Sequence, residues 1–190
     1  MLGAVGRIAA RHMKPQVRAL SALALTLLGG PWGRSASSEQ LAGAARVIDG
    51  STMEIAGQLV VLADIGAPEL GQGCNGPTRL AECGRVAAEE LERLVGARRV
   101  ACATEDRDRA GRWIARCYVD EVELSEAMVA NGHAFAFRPF SQRLVAEEDA
   151  ARAAGRGFWA GSPEAPWEFR ERAWKDAAAD APEGCPIKGN

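Results

Sequence analysis

Five cysteines give this sequence a first indication of chemistry. Thiols spaced along a chain either bind a metal ion or form disulfides, and their spacing separates the two cases. No two of these cysteines stand in a C-x₂-C arrangement, and beyond residue 37 the single histidine is His133. The pattern therefore indicates disulfides rather than a zinc site. The five are Cys74, Cys83, Cys102, Cys117 and Cys185.

Four of the cysteines are expected to form two disulfides. Cys102 and Cys117 flank a predicted hairpin, and constant-sum pairing places them opposite each other on neighbouring strands, within disulfide reach. Cys74 and Cys83 lie on either side of the start of a predicted helix, and a disulfide between them would fix the loop that leads into this helix. The alternative is that these thiols stay reduced and buried. Cys185 is then either free or available for an intermolecular disulfide with a partner chain.

Residues 1–37 have the composition of an export signal. They contain five basic residues and no acidic residue, and glycines and Pro31 interrupt their apolar stretch. Small residues follow at 35–37, in the pattern that a signal peptidase accepts. We therefore expect a cleaved signal peptide and a periplasmic or secreted protein. An uncleaved membrane anchor is the alternative.

The charge balance bears on possible partners. Residues 1–37 hold five of the 23 basic residues and none of the 25 acidic ones, so their removal changes the formal net charge from −2 to −7. A net acidic protein does not concentrate on nucleic acid through bulk charge. Nucleic acid is therefore expected to be a weak partner at most, and would need a local basic patch.

Short apolar runs between turn signals predict the strands. A length of 190 residues with 47% hydrophobic residues is that of an ordinary globular protein with one sizeable domain. Residues 44–65 contain three such runs, and Asp49-Gly50 marks a tight turn between the first two. Two more strands, over 99–104 and 113–119, form the predicted hairpin.

The helices follow from apolar periodicity and capping residues. A helix is expected over 78–95, with Thr78 as its cap and Gly96 at its end. The other predicted elements are a short helix over 123–131, a brief strand over 134–137, a helix from Ser141 to Arg152, and a loosely ordered tail from Lys175 onward. This order fits an α+β, mainly β, fold, a small five-stranded Greek-key barrel of the OB type.

Six segments resemble motifs of the staphylococcal thermonuclease family and occur in the same order along the chain. They span about residues 44–170, which we take as the domain, between the signal peptide at 1–37 and a C-terminal tail at 171–190. The segments are Val47–Thr52 (a D-G-D-T turn), Ile65–Glu69 (I-D-A-P-E), Asp108–Arg112 (D-x-Y-G-R), Phe137–Ser141 (Y-R-x-Y-S), Gly157–Gly161 (G-I-W-x-G) and Pro166-Trp167.

The resemblance implies an OB-fold barrel with about three helices and, for active members, calcium-dependent cleavage of DNA and RNA. This chemistry needs carboxylate ligands for the cation, a carboxylate beside the attacking water, and arginines that stabilise charge on the phosphoryl group. The resemblance assigns the two metal carboxylates to positions 51 and 66, which are Ser51 and Gly66, and the first arginine to Val61. The glutamate is kept as Glu69 and the second arginine as Arg112.

Since both metal carboxylates are substituted, we predict a catalytically degenerate nuclease fold that acts as a binding or structural module. No metal cofactor is expected, and Glu69 and Arg112 are then vestiges of a catalytic site. They would persist either as an ion pair or loop brace, or in an anion-binding role. The alternative is a metal-dependent endonuclease whose carboxylate cluster is displaced to Asp49, Asp64 and Glu69.

The C-terminal aromatic residues have two interpretations. Trp159, Trp167 and Trp174 could stack against bases of a nucleic acid. The simpler prediction is that Trp159 and Trp167 pack the last helix onto the barrel.

Overall fold

A computed structural model describes residues 40–74 and 82–179. The signal-peptide region, Thr78 and Cys185 lie outside the described residues. The strands are β1 (Gln40–Val47), β2 (Thr52–Ile55), β3 (Gln58–Leu62), β4 (Ile65–Gly66), β5 (Arg99–Arg107), β6 (Trp113–Val119), β7 (Val122–Glu123) and β8 (Phe135–Ala136). The α-helices are α1 (Cys83–Val95), α2 (Leu124–Ala130), α3 (Val145–Ala153) and α4 (Pro166–Ala179), with a 3₁₀ turn at Gly157–Ala160.

Five of the strands close into a mixed barrel. Antiparallel pairing runs from β3 through β2, β1 and β5 to β6, and a parallel pairing of β3 with β6 closes the ring. Strand β7 extends the sheet beside β6, while β4 and β8 form a separate antiparallel pair. The predicted five-stranded OB-fold barrel is therefore confirmed, and residues 40–74 and 82–179 contain four α-helices rather than about three.

Tight turns and a matched register form the barrel wall. Ala56 and Gly57 between β2 and β3 both have positive φ, as a two-residue hairpin turn requires. In the β5–β6 hairpin, Cys102 lies directly opposite Cys117 and the two form a disulfide, as predicted. A bulge near Thr104 shifts the β5–β6 pairing by one residue. The pairing continues beyond the bulge, so β5 extends past residue 104, its predicted end.

Helix α1 begins later than predicted. It starts at Cys83, with Glu82 as the flanking residue, so the assignment of Thr78 as its cap is wrong. Gly96 ends the helix with φ +55°, as predicted. The disulfide between Cys74 and Cys83 ties the loop before the helix to its first residue, which confirms the second predicted pair.

The C-terminal half contains two further corrections. Helix α3 begins at Val145, and the Ser141 hydroxyl accepts a hydrogen bond from the Arg143 amide in the preceding turn, so Ser141 does not cap the helix. The chain from Lys175 to Ala179 continues α4 rather than starting a loose tail. Among the described residues, no helix combines the length and the apolar character needed to cross a membrane.

The barrel interior and the helices share one apolar core. Met53, Leu62, Leu91, Leu124 and Met128 are fully buried in it, so the first two helices pack against the barrel. A second cluster joins the 3₁₀ turn to β8 and to the start of α4. It contains Cys83, Phe135, Ala151, Phe158, Trp159 and Ala165. These two cores hold the loops that form the candidate site.

Candidate functional site

A cleft of about 450 Å³ lies where the loops of the barrel meet α4. Its lining contains all five positions that the sequence analysis singled out, although they come from separate segments of the chain. These positions are Ser51, Val61, Gly66, Glu69 and Arg112. The barrel thus brings the predicted site residues together.

The β1–β2 turn places Ser51 in the cleft and holds it through Asp49. The Asp49 carboxylate oxygen Oδ1 accepts hydrogen bonds from the Ser51 amide at 2.8 Å and from its hydroxyl at 3.1 Å. This is an Asx-type turn, in which a side chain satisfies the backbone two residues further on. Asp49 therefore braces the turn, and position 51 offers a hydroxyl instead of a carboxylate.

Gly66 lies beneath an aromatic side chain from α4. A Cβ atom added at Gly66 would lie 3.1 Å from Cζ3 of Trp167 and 3.2 Å from Cγ of Pro166. Both distances are shorter than ordinary van der Waals contact, so any side chain here requires its neighbours to move. The position of the Trp167 ring therefore depends on the absence of a side chain at residue 66.

Val61 makes an apolar section of the cleft wall. Its backbone is paired with Thr52 on β2 and with Ile114 on β6. A half-buried valine at this position supplies no hydrogen-bond donor and no charge. One of the two arginine positions implied by the family resemblance is thus chemically inert.

Glu69 forms an ion pair with Arg170 of α4. The backbone of this loop is also held in place, because the Glu69 amide donates to Oε1 of Gln72 at 3.0 Å. Gln72 is itself buried and donates through Nε2 to the Glu164 carbonyl at 2.7 Å, next to the start of α4. Glu69 is therefore anchored to the C-terminal helix through both its side chain and its loop.

Gly84 makes a close approach that positions the Glu69 loop against α1. A Cβ at Gly84 would lie 1.9 Å from the Glu69 carbonyl oxygen, a distance that backbone atoms cannot accommodate. The absence of a side chain at Gly84 therefore allows helix and loop to touch.

Arg112 is oriented by Asp108 within the β5–β6 turn. Its Nε donates to Oδ2 of Asp108 at 2.6 Å, while Oδ1 accepts from the amides of Ala110 and Arg112 at 2.9 Å each. Burial alone would raise the pKa of the Asp108 carboxyl, but these hydrogen bonds and the Arg112 charge outweigh it and lower the pKa. Glu69 and Arg112 thus have separate partners and do not form an ion pair with each other.

Asp64 lines the cleft but is held by two arginines. Arg143 donates from Nε to Oδ2 of Asp64 at 2.7 Å, and Arg116 lies 3.7 Å from the same oxygen. Burial would raise the pKa of Asp64, yet the hydrogen bonds from Arg143 and Ser141 and the arginine charges lower it. Its carboxylate is therefore ionised and already neutralised.

The displaced carboxylate cluster considered from the sequence is not present in this arrangement. Asp49 bonds to Ser51, Asp64 to Arg143, and Glu69 to Arg170. Within residues 40–74 and 82–179, no three His, Cys, Asp or Glu side chains converge as a metal cage would require. A hard cation such as Ca²⁺ needs several oxygen ligands, and the residues at the family's ligand positions do not supply them.

Two functional contributions from α4 were missed in the sequence. The sequence indicated no role for Arg170, and for Trp167 it favoured packing over stacking against bases. Trp167 does pack, with its ring centroid 5.9 Å from that of Phe135 and 5.5 Å from that of Phe137, but it also lines the cleft. The spacing of three residues between Trp167 and Arg170 on one helix was the available signal, because such pairs share a helix face.

The sequence matches a family of known proteins. Residues 59–161 match the sequence profile of the family described as Staphylococcal nuclease homologue. The chain is 34% identical over 113 residues to a probable staphylococcal-like nuclease of Oryza sativa subsp. japonica, which is 58% of this chain but only 30% of the rice protein. It is 30% identical over 102 residues to a staphylococcal-like nuclease of Arabidopsis thaliana, covering 52% of this chain and 32% of that protein.

A bacterial relative is matched over more of its length. The chain is 34% identical over 133 residues to the succinoglycan biosynthesis protein ExoI of Rhizobium meliloti (strain 1021). That alignment covers 67% of this chain and 69% of the relative. The similarity therefore spans about two thirds of a bacterial protein, but less than a third of each plant nuclease named above.

Proposed function

Because this chain belongs to the staphylococcal nuclease homologue family, we propose that it is an exported, non-catalytic member that uses the nuclease cleft as a binding module. Sequence similarity transfers a fold more safely than an activity, since activity depends on a few side chains. In this chain, the substitutions fall on the positions that the family's hydrolytic chemistry requires.

The observation that carries this proposal is the contact between Gly66 and Trp167. A side chain at residue 66 would require the indole ring to shift by a few tenths of an ångström, because even a Cβ would lie 3.1 Å from it. The site thus lacks the ligand, and the ring of Trp167 lies against the place where that ligand would stand.

The state of Glu69 supports the same conclusion. A carboxylate that orients or deprotonates a water must have a free oxygen directed at that water. Here Arg170 is paired with Oε1 of Glu69, so one of the two carboxylate oxygens is occupied by a cation and only Oε2 is left for a water. Ser51 and Val61 supply neither the metal-binding charge nor the guanidinium that phosphoryl chemistry uses.

The test is nuclease activity of the purified protein on single-stranded DNA, with Ca²⁺ and with a chelator. We expect no metal-dependent cleavage by the wild type. A Ser51→Asp, Val61→Arg, Gly66→Asp variant should stay inactive, because Trp167 and Arg170 still fill the site. Adding Trp167→Ala and Arg170→Gln should give chelator-sensitive cleavage.

Trp174→Ala in place of Trp167→Ala is the matched control, since Trp174 lies on the same helix and does not line the cleft. Cleavage by the wild type that stops on chelation would contradict the proposal. It would instead support the second candidate, a metal-dependent endonuclease with a rearranged site, which the names of the plant relatives favour.

A further inference from the structure

We propose that the ligand of the cleft is a neutral, hydroxyl-rich oligosaccharide rather than a nucleic acid. This inference rests on the proposed function, because it needs a cleft that binds without cutting. It is carried by three properties of the described residues: the charge of the lining, the pairing of its charged groups and the position of its aromatic rings.

The charge of the lining opposes a polyanion. Among the described residues, four carboxylates and two guanidinium groups line the cleft. The carboxylates belong to Asp49, Asp64, Glu69 and Asp108, and the guanidinium groups to Arg112 and Arg170. Asp64 is neutralised by Arg143 and Arg116, while Glu69 and Asp108 are paired with Arg170 and Arg112, so Asp49 leaves the lining with one negative charge in excess. This excess and the net charge of −7 expected after signal cleavage both disfavour a chain of successive phosphates.

The pairing of these groups suits hydroxyls. Glu69 with Arg170 and Asp108 with Arg112 place acceptor oxygens beside donor nitrogens. A phosphate or an ammonium group would have to break such a pair to gain its full interaction. A hydroxyl both donates and accepts, so it can bridge the two partners while the pair stays intact. A vicinal pair of sugar hydroxyls matches this arrangement best.

The guanidinium groups have donors to spare. Arg112 uses Nε for Asp108 and its side chain is 39% exposed, so its terminal nitrogens remain accessible from the cleft. Arg170 contacts Glu69 through Nη1 and its side chain is 56% exposed. Because a guanidinium carries five N–H donors, each arginine keeps hydrogen-bonding capacity beyond its carboxylate partner.

Aromatic rings form the apolar part of the site. Trp167 and Phe137 line the cleft with ring centroids 5.5 Å apart. Phe140 lies outside the cleft lining, stacks on Phe137 with ring centroids 4.9 Å apart, and has a side chain that is 82% exposed. Sugar rings have apolar C–H faces and polar edges, so they are complementary to aromatic rings bordered by ion pairs.

The fold and the size of the cleft are compatible with this ligand. OB-type barrels bind oligonucleotides and oligosaccharides with the same surface, so the architecture allows both and the lining decides between them. A volume of about 450 Å³ lies in the range of about 300–1,000 Å³ usual for small-molecule pockets. The cleft therefore accommodates a short stretch of a glycan chain.

The experiment is titration of the purified full chain with cellotetraose and with maltotetraose, followed by isothermal calorimetry and by tryptophan fluorescence. A 12-nucleotide single-stranded DNA is titrated in parallel. We expect saturable binding of at least one tetrasaccharide, with little dependence on salt, and weaker binding of DNA. Phe137→Leu and Trp167→Phe should each weaken saccharide binding about three- to tenfold, since both rings line the cleft. Arg170→Gln should weaken it by a similar factor.

Trp174→Ala is the matched control and should leave the affinity unchanged, because Trp174 is exposed on α4 outside the cleft. The inference would be overturned if neither tetrasaccharide binds. It would also be overturned if DNA binds more tightly than the saccharides and its affinity falls steeply with salt. The nuclease assay separates the two proposals. A protein that neither cuts DNA nor binds saccharide overturns this inference alone, whereas metal-dependent cleavage overturns the proposed function.

Discussion

At the residue scale, the character of this cleft depends on a missing side chain and on the ring that covers it. Gly66 has no side chain, and Trp167 and Pro166 lie close to the space that its Cβ would fill. Val61 removes a guanidinium from the barrel wall, while Arg170 brings one to the cleft from α4. These exchanges alter the chemistry of the cleft without altering the barrel.

Asp108 is the residue whose loss should most disturb the β5–β6 turn. Its carboxylate accepts from two backbone amides and from Arg112 Nε. Asp108→Asn should lower the free energy of unfolding by about 1–3 kcal/mol, because charge-assisted hydrogen bonds are lost. Urea denaturation measures this loss.

Asp149→Asn provides the comparison, since Asp149 forms one exposed ion pair with Arg138. Such a pair contributes about 0–1 kcal/mol. Equal effects of the two substitutions would contradict the bracing role assigned to Asp108.

At the element scale, α4 determines how open the cleft is. Pro166 is its buried residue, and the helix contacts the site through Trp167 and Arg170. The buried Gln72 side chain links the Glu69 loop to the residue that precedes α4 by two positions, Glu164. The helix is therefore anchored at its first turns, which are the turns that face the cleft.

The turn between α2 and β8 should make stability depend on pH through His133. Burial lowers the pKa of His133; the Glu90 carboxylate opposes this shift and Arg93 adds to it. As the pH falls through about 6.5, the unfolded chain binds a proton that the folded chain still excludes, so stability declines. The decline ends once the pH is below the pKa of the folded state.

Urea unfolding at pH 8, 7, 6 and 5 measures this effect. His133→Gln should remove most of the decline between pH 7 and 5, because His133 is the only histidine beyond residue 37. Parallel pH profiles for the wild type and the variant would show that His133 does not carry the dependence.

At the scale of the whole molecule, export and oxidation should be visible in the mass of the protein. Two disulfides use four of the five cysteines, which leaves Cys185. Protein recovered after export should lack about the first 37 residues. When it is unfolded and alkylated without prior reduction, each chain should take up one alkyl group. Reduction before alkylation should raise the uptake to five alkyl groups per chain.

Intact-mass spectrometry reads both quantities. Uptake of five alkyl groups without reduction would contradict an oxidised, exported protein. If no alkyl group is taken up and the protein is a dimer that dissociates on reduction, Cys185 forms a disulfide between chains.

The sequence by itself determined the barrel, its hairpin and its disulfides. Alternation, turn residues and the constant-sum register act between neighbours along the chain, so Cys102 opposite Cys117 followed from local rules. The substitutions at Ser51, Val61 and Gly66 could likewise be found by aligning motifs.

The partners of the cleft residues depended on tertiary structure alone. The pairs Glu69–Arg170 and Asp64–Arg143 join residues 101 and 79 positions apart, and no local pattern fixes contacts at such separations. Helix starts at Cys83 and Val145 were missed for the same reason, because packing and a disulfide outweighed the capping preferences of single residues. The position of Trp167 over Gly66 followed only once the chain closed α4 onto the barrel.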